Sequence, residues 1–228
     1  MTGNTKAPSK FGVLLYPGFE PLDVFGPIEA LQMLSREVKL DIAWIGPTLD
    51  PVSTVPKDIP MNTTGSQVAT LVVPTHTYDN PPKDLEVLLV PGGIGTTGEA
   101  HALAGPVEFI KDIYPKLSYL ITICTGAELA ARSGVLDGKR ATANKDTWKT
   151  TTALRPQVNW VRMARYVVDG NCWTSGGVSA GIDATLAWIA HIYGEEVARR
   201  GANFMEYEWR DDRNWDPFAY MFGDGVTI

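Results

Sequence analysis

Short apolar runs, each closed by glycine, proline or a polar turn, recur along this chain with amphipathic stretches between them. Residues 11–16 form the first run, and Pro17-Gly18 stops it. Residues 38–45, 71–73, 85–90 and 120–123 repeat the pattern, and Pro91-Gly92-Gly93 closes the fourth. A strand that is apolar at nearly every position is buried on both faces. Helical spacing marks a segment from Asp23 or Pro27 to Leu34, residues 107–114, a segment after Cys124 that ends at Gly134, and residues 146–154. The longest predicted helix runs from Ser179 to about Arg199, with Leu186, Ile189, Tyr193 and Val197 on one face. Residues 158–161 and 164–168 read as short strands, and Gly170-Asn171 turns the chain back into a strand at residues 172–174. Residues 46–68 are rich in Pro, Thr, Ser and Gly and read as a loop with room for a short hairpin.

Buried strands alternating with helices predict an α/β fold, a mostly parallel sheet covered by helices on both faces. Ligands of such folds bind beyond the carboxyl ends of the strands. Three connections leave those ends, after Tyr16, Val90 and Ile123, and all three carry unusual residues. With 228 residues, 44% of them hydrophobic, the chain has core enough for one domain. That domain is expected to span residues 1–228, with its core at about 10–200. The tail over 201–228 mixes aromatic and acidic residues and is expected to pack on the body or on a second subunit.

Charge and cysteine content narrow the classes. The formal charge is −6 with no basic run, which argues against nucleic acid and anionic membranes as partners. Residues 1–10 lack the apolar core of a secretory signal, and no apolar run approaches the ~20 residues that span a bilayer. Two cysteines exclude a disulfide framework and suit a reducing, cytoplasmic setting. His76, in a Pro/Thr loop, His101 and His191 are scattered, and none stands at metal-ligand spacing from a cysteine or another histidine.

Cys124 is the leading chemical candidate. It follows a buried strand and precedes a helix, the order of a nucleophile elbow with sulfur in place of oxygen. The helix end and its N–H groups are expected to favour a thiolate there. The competing reading is a buried, inert thiol, which is also the reading for Cys172. Asp23 can take and return a proton beside that sulfur, or merely cap the first helix; Glu20 competes for the acid role. Gly93-Ile94-Gly95-Thr96-Thr97-Gly98 fits a dinucleotide fingerprint but arrives mid-chain, without the acidic residue that ribose binding requires. The glycine-rich loop reads instead as an oxyanion hole, with Gly93 and Thr125 as donors and Gly92 and Ile94 against substrate, or as a tight turn that only needs glycine. Thr125 and Glu128 also fit a capping box, and Glu128 can pair with Arg132. In Ser175-Gly176-Gly177-Val178-Ser179 the glycines, Gly177 in particular, either admit substrate to the backbone or turn the chain. Asp183 sits in a helical first turn, suited to the dipole.

The order of these pieces resembles the ThiJ/PfpI superfamily, the class I glutamine-amidotransferase-like group. Its carriers are residues 11–16, Pro21-Leu22-Asp23-Val24-Phe25-Gly26-Pro27, Val90-Pro91-Gly92-Gly93, Ile123-Cys124-Thr125-Gly126, residues 134–142 and residues 175–183. The resemblance implies a flavodoxin-like three-layer sandwich. Leu-Asp-x-x-Gly-Pro together with Cys-Thr-Gly is similar to the isocyanide hydratase branch and to the amidase-like halves of some transcription regulators. The sequence, ending near residue 228, carries no DNA-binding domain, so the regulator reading is set aside. Peptidase relatives place His where Thr125 stands, and deglycase and glyoxalase relatives place Glu where Asp23 stands. Hydratase relatives read Ala-Thr-Thr-His-Trp where this chain has Ala141-Thr142-Ala143-Asn144-Lys145. Asn144 cannot act as acid or base, so a changed specificity is expected if it touches substrate.

The resemblance implies a cofactor-free, metal-free hydratase or lyase. Cys124 would attack the terminal carbon of an isocyanide, and Asp23 would manage the proton and direct water. N–H groups near Gly93 and Thr125 would stabilise the adduct, a thioimidate hydrolysed to an N-formamide. Alternatives are glyoxalase-type, other lyase or cyclase chemistry on a small metabolite, and a non-catalytic redox sensor or chaperone-like dimer. Superfamily members are commonly homodimers, and a homodimer is expected here.

Overall fold

The apolar run at the start of the chain becomes the central strand of the sheet. The computed structural model describes residues 7–56 and 62–222. Strand β1 (Lys10–Leu14) leads into α1 (Pro21–Leu34) and β2 (Asp41–Gly46). An antiparallel pair follows, β3 (Val52–Ser53) with β4 (Leu71–Val72), then β5 (His76–Thr77) and β6 (Val87–Val90). Next come α2 (Ala100–Ile113), β7 (Tyr119–Thr122), α3 (Gly126–Arg132), β8 (Arg140–Ala141), α4 (Trp148–Leu154) and β9 (Asn159–Trp160). The hairpin β10 (Tyr166–Asp169) and β11 (Cys172–Ser175) precedes α5 (Ala180–Tyr193), α6 (Glu195–Phe204) and α7 (Phe218–Met221).

The main sheet has the order β10-β11-β7-β6-β1-β2-β5. Its pairings are parallel except for the β10–β11 edge hairpin. Helices α1, α5 and α6 pack together on one face, and α2 packs with α3 on the other. This is the flavodoxin-like α/β arrangement. Trp188 of α5 is fully buried and meets the rings of Phe11 and Tyr119 edge-on at 5.5 and 5.6 Å, so one indole ties the helix layer to β1 and the start of β7. From β1 the chain first builds outward through β2, then crosses back to lay β6 on the other side of β1. That reversal opens a crevice at the carboxyl ends of β1 and β6, the place where a doubly wound sheet binds its ligand.

Several boundaries differ from those expected. Helix α1 begins at Pro21, a residue suited to the first helical turn, and carries Pro27 inside it rather than starting there. Asp23 is therefore a helical residue and not a cap. Helix α2 begins at Ala100 and passes through Pro106; its first turns are mostly exposed, with Leu103 and Pro106 the buried positions there. The long helix expected over Ser179 to Arg199 is two helices, because Gly194 takes φ 101°, a left-handed value that stops α5. Glu195 and Glu196 then open α6, where acidic side chains favour the helix N-terminus. His76 lies in β5 beside β2 rather than in a loop.

Candidate active site

Residues with no alternative but glycine bring the three sheet-edge loops together. A Cβ on Gly126 would lie 2.1 Å from the Val90 carbonyl oxygen, so only glycine lets α3 start against the end of β6. A Cβ on Gly93 would lie 2.4 Å from Glu20 N and from Gly18 O. The loops are stitched by Glu20 N–H to Gly92 O at 2.8 Å and Gly95 N–H to Gly18 O at 2.9 Å. Tyr16 donates its hydroxyl to Pro91 O at 2.9 Å.

Cys124 sits between β7 and α3 at φ 59°. A non-glycine residue in the left-handed region is uncommon, and strand–turn–helix junctions that hold a nucleophile use such a turn. Its N–H donates to Gly176 O at 3.1 Å. Asn144 donates Nδ2 to Cys124 Sγ at 3.0 Å. The amide orientation is dictated by its other end, because Oδ1 accepts the N–H groups of Asp146 at 2.7 Å and Thr147 at 3.3 Å. The backbone N–H groups of Val178 and Thr125 also face the sulfur. Val178, at φ 34°, is a second strained position. A Cβ on Gly177 would lie 2.8 Å from Asn144 Nδ2, so this glycine makes room for the amide.

The expected resting thiolate is not what this environment favours. Cys124 is only 5% exposed, and burial, followed by the charge of Asp23, pushes its thiol up to about 12; the donors from Asn144, Val178 and Thr125 oppose this without prevailing. Helix α3 has only seven residues, a short dipole to set against the loss of water. Asp23 is 1% exposed and accepts Gly92 N–H on Oδ2 at 2.9 Å, while Oδ1 is buried with no hydrogen-bond donor among the described residues. Burial raises its pKa to about 7, and the charge of Glu20 adds to the rise; Gly92 N–H and the Cys124 thiol oppose it. The site therefore pairs a protonated sulfur with a carboxyl poised near neutrality.

Gly93 does not supply the donor expected of it. Gly92 N–H is engaged by Asp23, and Gly93 N–H donates to Thr125 Oγ1 at 2.9 Å. Thr125 N–H, the other donor expected, does face the sulfur, and the Asn144 amide and Val178 N–H stand in for Gly93. Nor does the loop cradle a phosphate: Gly95 N–H turns inward to Gly18 O, and Ile94–Thr97 form a 3-10 turn that leaves Ile94 47% exposed. The capping box is absent too. Thr125 Oγ1 faces Gly93, and Glu128 is buried and accepts Thr151 Oγ1 at 2.6 Å, joining α3 to α4.

Sequence reasoning passed over a buried charge cluster behind the site. Lys145, beside Asn144, places Nζ 3.3 Å from Asp216 Oδ2 and donates to Thr142 Oγ1, Ala143 O and Ala164 O. Arg165 pairs with Asp183 at 2.7 Å and approaches Asp216 at 3.7 Å. Asp183 also accepts Tyr207 Oη and Arg210 N–H, both at 3.0 Å, and its backbone carbonyl accepts Trp209 Nε1 at 3.2 Å. Residues 207–216 are thereby tied onto the body. A cavity of about 230 Å³ lies against this region, lined by Asn144, Gly177, Val178, Phe218 and Phe222 among others. Among the described residues no three His, Cys, Asp or Glu side chains converge as a metal ion would need, and no helix is long and apolar enough to cross a membrane.

Comparison with known proteins agrees with this architecture. Residues 9–191 match the model of the DJ-1/PfpI family. The chain is 32% identical over 199 residues to an isonitrile hydratase of Pseudomonas putida, covering 87% of this chain and 78% of the hydratase. It is 25% identical over 222 residues to the HTH-type transcriptional regulator GbdR of Pseudomonas aeruginosa, covering 95% of this chain and 56% of the regulator. A crystal structure of a ThiJ/PfpI family protein from Pseudomonas syringae superposes with a TM-score of 0.69 at 26% identity, over 91% of this chain and 80% of that one. With its elbow cysteine, its buried acid and a match across most of its length, the chain belongs to the DJ-1/PfpI family.

Proposed function

We propose that this chain is a cofactor-independent, cysteine-dependent hydratase of small electrophiles, and that isocyanides are its substrates. The observation that carries the reading is the pairing of Cys124, held at an elbow among three donors, with an Asp23 carboxyl whose pKa is about 7. A group that is half ionised at neutral pH both accepts and returns protons efficiently. The 32% identity to an isonitrile hydratase favours the same chemistry.

Ionised Asp23 takes the thiol proton as sulfur bonds to the terminal carbon of the isocyanide. The Asn144 amide and the N–H groups of Val178 and Thr125 stabilise the charge developing on sulfur. Asp23 returns its proton to that carbon, which gives the thioimidate Cys–S–CH=N–R. Water then adds to the carbon: Asp23 accepts a water proton and passes it to nitrogen. The hydroxyl proton leaves by the same carboxyl as the C–S bond breaks, releasing R–NH–CHO and restoring the thiol. One isocyanide and one water are consumed for each formamide, and no electrons are exchanged.

The test follows formamide from an aryl isocyanide and lactate from methylglyoxal, with Cys124→Ala and Asp23→Asn alongside. Formamide production that disappears in both variants supports the hydratase. Lactate without formamide moves the activity to glyoxalase chemistry. A redox sensor is disfavoured by the raised thiol pKa, since oxidation follows thiolate character and exposure. We place the enzyme in the cytoplasm, where its two free cysteines stay reduced, and as a homodimer. Leu22 and Phe25 on α1 and Ile94 beside the site expose apolar surface that a second copy would bury; a monomeric mass by light scattering contradicts this.

A further inference from the structure

One side of the cavity behind Asn144 and Val178 is walled by Phe218 and Phe222 of the C-terminal segment. Asn144 and Val178 each face Cys124 Sγ with a donor and also line the cavity, so the cavity abuts the residues that hold the sulfur. Its remaining wall includes Phe218 and Phe222. Of the polar groups that line it, Asn144 Oδ1 is held by two backbone N–H groups, Lys145 Nζ by Asp216, Thr142 and two carbonyls, and Ser179 Oγ accepts from Arg165, while Asp146 stands at its edge. What faces the cavity is therefore mainly apolar. At about 230 Å³ it exceeds the roughly 150 Å³ apolar cavity known to accept benzene.

The wall is fixed in place. Asp216 is 1% exposed, lies 3.3 Å from Lys145 Nζ and accepts Phe218 N–H at 3.1 Å. The Phe222 carbonyl accepts the Arg162 guanidinium. A single buried carboxylate thus links the loop that aims Asn144 at the sulfur to the helix that carries Phe218.

We propose that Phe218 and Phe222 form the specificity wall of this enzyme and receive the substituent R of the substrate, selecting an aryl or alicyclic group over a short or charged one. The proposal rests on the isocyanide reading and refines it. Steady-state kinetics with cyclohexyl isocyanide and methyl isocyanide test it in the full chain. In Phe218→Ala and Phe222→Ala, kcat/KM for the cyclohexyl substrate falls about tenfold or more, through KM, while that for the methyl substrate stays within about twofold. Phe218→Leu restores most of the cyclohexyl rate. Equal loss on both substrates, or no loss on either, overturns the assignment. A readout independent of turnover is the rate at which N-benzyl iodoacetamide and iodoacetamide alkylate Cys124, followed by peptide mass spectrometry. The wild type prefers the benzyl reagent and both alanine variants lose that preference. Absence of the preference in the wild type overturns the wall; its presence without isocyanide turnover keeps the wall and rejects the hydratase.

Discussion

Replacing Asp23 by asparagine separates the proton chemistry of the site from its shape. The carboxyl is 1% exposed, Oδ2 accepts Gly92 N–H at 2.9 Å, and Oδ1 has no hydrogen-bond donor among the described residues. Asparagine fills nearly the same volume, and its carbonyl still accepts from Gly92. Burial lifts the pKa from 3.8 to about 7. That is about three powers of ten in the acid constant, or roughly 4 kcal/mol between the two protonation states. Below about pH 4 the folded and unfolded chains both carry the proton, so the wild type suffers nothing from the burial. As pH rises the unfolded chain releases its proton first, which favours unfolding. Above about pH 7 the folded carboxyl ionises as well and the loss levels off. Asp23→Asn has no such charge, so its stability relative to wild type rises by up to about 4 kcal/mol between pH 4 and pH 8. That value is an upper limit, because water entry and local relaxation soften a buried charge. Urea melts followed by tryptophan fluorescence at pH 4, 6 and 8 measure the difference. Over the same range the variant loses the proton shuttle and about 10²- to 10⁴-fold in hydration rate. A stability difference that is flat with pH would falsify the buried-acid argument, whatever happens to activity.

Because burial holds the Cys124 thiol up to about 12, its alkylation by iodoacetamide should keep accelerating with pH beyond pH 9; a plateau below pH 8 would mean a thiolate at rest. Asn144→Ala removes the amide donor 3.0 Å from Sγ and should lower kcat about 10²- to 10³-fold, measured in single turnovers; an unchanged rate removes Asn144 from the site. Asp216→Ala leaves Lys145 and Arg165 buried without their shared carboxylate and should cost about 3–5 kcal/mol in chemical melts; a loss under about 1 kcal/mol would show that the cluster is not holding the tail.

Much of the fold was legible because parallel strands buried on both faces leave continuous apolar runs. The β1 and β6 runs, the β10–β11 hairpin and the elbow order around Cys124 all announce themselves locally. Errors fell where local pattern is silent. Helix α2 has mostly exposed first turns with Gly105-Pro106 inside them, residues that read locally as a break, and Gly194 ends α5 through a backbone angle that composition alone does not specify. Thr125 and Glu128 satisfy the spacing of a capping box, yet each finds a partner distant in sequence, Gly93 and Thr151. Local spacing offered one partner, and packing supplied a better one.

The sequence by itself determined the sheet, the three loops at its edge, and the pairing of one cysteine with one aspartate as candidates for chemistry. Apolar periodicity and turn residues act over a few positions, so they can be read without knowing what lies across the molecule. Only the tertiary structure decided that the sulfur rests as a thiol, that Asn144 aims at it, and that Lys145, Arg165, Asp183 and Asp216 meet behind it. Those outcomes depend on how far water is excluded and on which groups from remote segments arrive in the same dry space. Neither quantity is carried by any short stretch of chain.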